Sequence, residues 1–131
     1  MKPHEIGKEF EEAWAKRVGG KLVPGSGNKW WAKMDVGDAE FLWSCKATTK
    51  NGFRITQELV DEVVEAVFAP GGRGSSTPAL ALRVGTPAYD LVVLRADDFE
   101  RIVQQEVKYV RQSNEDSKRQ RAAVPELLRD D

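Results

Sequence analysis

The stretch MDVGDAEFLWSCK, residues 34–46, decides how the chain folds. From Asp35 to Ala47 apolar and polar residues alternate, the period of a β-strand with two different faces. Gly37-Asp38 supplies a turn signal within the run, so it reads as two antiparallel strands. The second strand sets Glu40, Leu42, Ser44 and Lys46 on one face and Phe41, Trp43 and Cys45 on the other. Asp35, at the start of the first strand, and Lys46, at the end of the second, then fall at the same edge of a sheet.

Working outward, Ile6, Phe10, Ala13, Trp14 and Val18 recur at helical spacing over residues 4–18, and Gly19-Gly20 ends that helix. "KLV", residues 21–23, is a short strand that stops at Pro24, and "PGSGNK" is a turn-rich loop. Downstream, Thr56 caps a helix running to about Phe68, with Leu59, Val60, Val63, Val64 and Val67 as its apolar stripe. "APGGRGSST" is a connecting loop. "PALALRV" and "YDLVVLR" are two further strands joined around Gly85-Thr86-Pro87. Ala96-Asp97-Asp98 opens a last helix with Phe99, Ile102, Val103, Val107 and Val110 along one side. The expected order is αβββαββα, an α/β protein with a mixed central sheet flanked by helices. Residues 1–112 form one domain, and residues 113–131, charged and poor in apolar side chains, read as a flexible tail.

A chain of 131 residues suits a single domain, and 40% apolar with 31% charged residues is the balance of a globular protein. No apolar run approaches the roughly 20 residues of a membrane span, and "MKPHEIGKEF" lacks a signal-peptide core, so a cytoplasmic location is expected. One cysteine excludes an internal disulfide, and one cysteine with one histidine, His4, argues against zinc. Cys45 reads as a small buried core residue. Net charge is −1, but residues 1–54 carry ten Lys/Arg against seven Asp/Glu. That basic excess includes Lys29, Lys33, Lys46, Lys50 and Arg54, a surface where a phosphate backbone could lie.

Hydrolysis of a phosphodiester by a hard divalent cation needs two or three oxygen ligands at one point and a cationic side chain near the scissile phosphate. Asp35 and Lys46 fit that need. With "GKEFE" in the first helix, "PGSG" in the next loop, "MDV" at a strand start and "SCK" at the next strand's end, the chain resembles the PD-(D/E)XK nuclease superfamily. The likeness is to archaeal-type Holliday junction resolvases and small phage resolvase-like nucleases, over residues 7 to about 100. It implies a restriction-endonuclease-like core and a Mg²⁺- or Mn²⁺-dependent endonuclease acting on branched or structured DNA in recombination, as a homodimer. A phage-encoded protein working in the bacterial cytoplasm would follow. It also implies that Asp35 is the principal metal ligand, that Glu11 assists from the helix, that Ser26 contacts the scissile region, and that Lys46 orients water or stabilises charge.

The chain departs from that pattern at Ser44, where the family has Glu or Asp. Three explanations stand side by side. The missing acid has moved, to Glu40, roughly 13 Å along the strand, or to Glu58, Asp61 or Glu62 on the next helix, with reach favouring the helix. Alternatively, Ser44 holds the metal through water, with Glu11 and Asp35 as the charged ligands. Or the site is silent, and the fold serves as a nucleic-acid-binding or protein-interaction module. Trp30, beside Trp31, Lys29 and Lys33, offers base stacking next to the site or, equally, core closure. Lys50 and Arg73 are further candidate backbone contacts. The last helix either covers its own sheet or supplies the dimer surface.

Overall fold

The computed structural model describes residues 2–23, 34–68 and 76–123. The elements are α1 (Pro3–Val18), β1 (Lys21–Leu22), β2 (Val36–Gly37), β3 (Phe41–Thr48), α2 (Gln57–Phe68), β4 (Thr77–Val84), β5 (Tyr89–Val93) and α3 (Ala96–Ala123). The five strands form one open sheet in sequence order. β1, β2 and β3 are successively antiparallel, β3 and β4 are parallel across the α2 crossover, and β5 returns antiparallel to β4. The expected αβββαββα order and mixed sheet are therefore observed. The chain divides into two units, Met1–Leu94 and Arg95–Asp131.

Within the first unit, alternation along β3 builds two cores. Phe41, Trp43, Cys45 and Ala47 face α1 and pack with Phe10, Trp14, Ala15, Val36, Ala79 and Ala81. Leu42, on the opposite face, joins Met34, Val63, Ala66 and Val67 under α2. The first core is aromatic: Trp14 meets Trp43 edge-on at 5.1 Å between ring centres, with Phe10 and Phe41 at 5.8 and 4.8 Å from these two rings. Such pairs add roughly 1 kcal/mol each beyond the area they bury. α1 ends at Gly19, whose φ of 66° is left-handed backbone that suits glycine. Gly20 is also required, because a Cβ there would sit 2.6 Å from the Gly37 carbonyl oxygen. The Thr56 hydroxyl caps α2 by accepting from the Leu59 N–H at 3.1 Å.

The second unit contains α3, which runs past Ser113 to Ala123 where the sequence reading placed a flexible tail. The reason lies in the side chains of that segment. Arg111, Glu115 and Arg119 are spaced i, i+4, and Gln112 donates to Asp116 at 3.1 Å, so charges that cannot form a core still support a solvated helix. At its start, Asp98 accepts from Arg95 at 2.8 Å.

The turn between β2 and β3 is fixed by Asp38. Its carboxylate accepts from the Glu40 and Phe41 backbone N–H groups at 2.9 and 2.7 Å and from Trp43 Nε1 at 2.9 Å. Asp38→Ala leaves all three half-buried donors without this acceptor and is expected to lower stability by about 2 kcal/mol. Urea unfolding checks this through a lower midpoint at unchanged slope.

Candidate functional site

The β2–β3 register sets Gly37 against Leu42 and Val36 against Trp43, which would place Asp35 opposite Ser44. The ladder does not continue that way. The Asp35 N–H donates to the Trp43 carbonyl at 2.8 Å, and the Asp35 carbonyl accepts from Val23 N–H at 2.9 Å. The Cys45 N–H, left without a backbone acceptor on this side, donates instead to Asp35 Oδ2 at 2.8 Å. A buried backbone donor must be satisfied, so this bond holds the carboxylate at the point where β2 gives way. Asp35 is buried, at 9% exposure, so its contacts come from the elements packed around it.

One such contact comes from α1. The helix packs Phe10 and Trp14 into the aromatic core, and Glu11, next along the helix, lies half-buried against Asp35. Burial, the negative charge of Asp35 and a hydrogen bond shared with it push Glu11 up to about 7, and the positive field of Lys46 opposes this rise. Burial beside a like charge disfavours the ionised form of Glu11, which therefore keeps its proton to higher pH than a free glutamate. Lys46 is exposed at the end of β3, close enough for its field to act on both Glu11 and Cys45. The structure thus brings together two of the residues singled out by sequence, Glu11 and Asp35, and leaves Lys46 near enough for its charge to act on Glu11.

Ser44 is buried between Leu42 and Lys46 on the face of β3 turned toward α2. Glu40 Oε1 accepts from the Thr77 hydroxyl at 2.7 Å. Glu58 and Glu62 are exposed on α2, and neither figures among the charges that move Glu11. Among the described residues no group of three or more His, Cys, Asp or Glu side chains converges. Lys50 is exposed just beyond β3, at the same end of the strand as Lys46. Ser26, Lys29, Trp30, Lys33 and Arg73 lie outside the described residues. Cys45 contributes through its backbone: its side chain is buried in the α1-facing core, and burial first, then Asp35 and Glu11, push the thiol far up. This anchoring N–H was missed in the sequence, where a backbone donor leaves no residue signature.

The donor set suits a hard divalent cation. Magnesium is commonly held by one or two carboxylates, with water and substrate phosphate completing the shell. Glu11 and Asp35 are such a pair, and their crowding is what a cation between them would relieve. No family model, curated protein or solved structure matches the chain.

The Glu11 shift fixes a pH dependence. An acid whose folded value, about 7, lies above its ordinary 4.5 binds more protons folded than unfolded in that window. Its contribution is most favourable below pH 4.5 and is lost as pH rises to 7. Metal-free protein is expected to lose stability between pH 5 and pH 7.5, and Glu11→Gln to flatten that decline. Chemical denaturation in chelator at both pH values measures it; a slope unchanged in the variant contradicts the assignment.

Proposed function

We propose that the chain is a divalent-metal-dependent endonuclease that cleaves phosphodiester bonds in branched or structured DNA, as the resemblance to PD-(D/E)XK nucleases implies. The observation that carries this reading is the meeting of Glu11 and Asp35 where β2 gives way beside β3, within the field of Lys46. Nothing in the packing of the two cores requires two acids there, and their proximity costs stability that a purely structural site would avoid.

In this reading Glu11 and Asp35 hold Mg²⁺ or Mn²⁺, which when bound supplies Lewis-acid polarisation of the phosphate and a more acidic water. Asp35 is held in place by the Cys45 N–H, so it meets its ligand without first losing side-chain freedom. With a cation bound, Glu11 would be held in its ionised form, its proton having passed to solvent water. Lys46 places an ammonium beside the pair, where it stabilises negative charge developing on the phosphoryl oxygens. Lys50, at the same strand end, extends the positive surface over which a strand lies. Ser44 adds a hydroxyl where the family has a third carboxylate, so affinity for the ion rests on two acids and the substrate.

Ser44 also favours a second reading, a nucleic-acid-binding module whose chemistry has been lost. One set of reactions separates the two. Labelled four-way junction, flap, linear duplex and single-stranded DNA are incubated with the protein in Mg²⁺ and in Mn²⁺. Cleavage is expected, preferring the branched substrates. Lys46→Ala and Asp35→Asn are expected to reduce it by at least about 100-fold; Asn keeps an acceptor for the Cys45 N–H, so the fold survives. Retained binding with no cutting in either metal would instead establish the second reading.

A further inference from the structure

Away from Glu11 and Asp35, a cleft of about 370 Å³ opens where the C-terminal end of α1 meets the β4–β5 hairpin, lined by Arg17, Arg83, Ala88, Tyr89 and Asp90. It is a shallow, open depression, which suits a ligand held at the surface by charge. Two guanidiniums converge on one carboxylate there. Arg83 donates to Asp90 through Nε at 2.8 Å and Nη2 at 2.9 Å, and Arg17 donates through Nη1 at 2.9 Å. Arg83 lies over the Phe10 ring at 4.8 Å and Arg17 over the Trp14 ring at 5.8 Å. Both are therefore held against core aromatics and lose little further freedom on binding a ligand.

A guanidinium carries five N–H donors, and Asp90 uses a minority of the ten present. The carboxylate balances one of the two positive charges directly, and Glu9 adds a negative field at Arg83. The hydrogen bonds from Arg83, with Arg17 adding its charge, hold Asp90 below the usual carboxylate range, so it remains ionised as an internal anion. Tyr89 is 72% exposed at the rim, an aromatic face and a hydroxyl open to a ligand.

We propose that this cleft binds the phosphate group of a nucleotide, with Arg17 and the remaining Arg83 donors on the oxygens and Tyr89 against the base or sugar. Planar donor forks suit a multi-oxygen anion, and the aromatic at the rim suits what such a phosphate carries. Asp90 competes with the ligand for the same donors and keeps the site weak. The nucleotide is either free or part of a strand. β5 is three strand spacings from β2, roughly 14 Å, so a strand crossing the candidate site could extend to the cleft; that source alone rests on the nuclease reading.

Titrating the full chain without divalent metal, followed by the arginine Nε–Hε signals in ¹H–¹⁵N spectra, tests this with inorganic phosphate, adenosine 5′-monophosphate and a tetranucleotide. Saturable shifts of Arg17 and Arg83 are expected with the nucleotide probes. Arg17→Ala, whose side chain is 61% exposed and can be lost without unfolding, should weaken binding at least fivefold with the backbone spectrum retained. Asp90→Asn should tighten it about threefold. Response to the mononucleotide assigns a free nucleotide, and response to the tetranucleotide alone assigns a strand. No saturable shift with either nucleotide probe, or shifts undiminished in Arg17→Ala, would overturn the proposal. Lys46→Ala should leave the mononucleotide-induced shifts unchanged, so failure of the cleavage chemistry and failure of this site are separate results.

Discussion

A single hydrogen bond, from the Cys45 backbone N–H to the Asp35 carboxylate, sets the arrangement at the centre of this protein. β3 needs a partner at the position where its antiparallel neighbour stops, and an orphaned N–H in this buried setting would cost about 1–3 kcal/mol. A side-chain carboxylate supplies the acceptor. The consequence is an ionisable group fixed inside the sheet margin, in a position where a regular ladder would have left only backbone. The strand that needs this bond also carries Lys46 one residue further on, so one local irregularity specifies the places of both an acid and an amine.

The second constraint is the aromatic core under α1. Phe10 and Trp14 seat the helix on Trp43 and Phe41, and the helical repeat then turns Glu11 toward Asp35 rather than toward water. Burial and like charge make that encounter unfavourable for an ionised Glu11, whose acidity is weakened accordingly. Core packing and site electrostatics are coupled here: the hydrophobic energy that seats α1 also forces the acids together. In the proposed reading, a pair held this way would be pre-organised for a cation, because the cost of bringing the two acids together is met by folding and not by binding.

Much of this was legible in the sequence, for reasons that differ by residue. The period-2 alternation from Phe41 to Lys46 assigns each side chain to a face, and the structure has Phe41, Trp43 and Cys45 on one side with Leu42 on the other. Thr56 and Gly19 mark helix ends because capping is local chemistry. Glu11, Asp35 and Lys46 were found through short motifs whose elements the fold brings to one place. The helical extension beyond Ser113 escaped, since charged residues at i, i+4 resemble a disordered segment until the spacing is weighed. The cleft at Asp90 escaped for a deeper reason: its carboxylate meets Arg83 only through the β4–β5 register and Arg17 only through the crossing of α1 over the sheet. Neither is a property of nearby residues in the chain.

Whether Glu11 and Asp35 form a cation site is measured directly by Mn²⁺ binding, followed by electron paramagnetic resonance at neutral pH. One saturable site is expected, lost in Asp35→Asn, weakened in Glu11→Gln and unaffected by Asp90→Asn. Absence of Mn²⁺ binding in the unmodified protein, or binding that survives both Asp35→Asn and Glu11→Gln, would contradict the account.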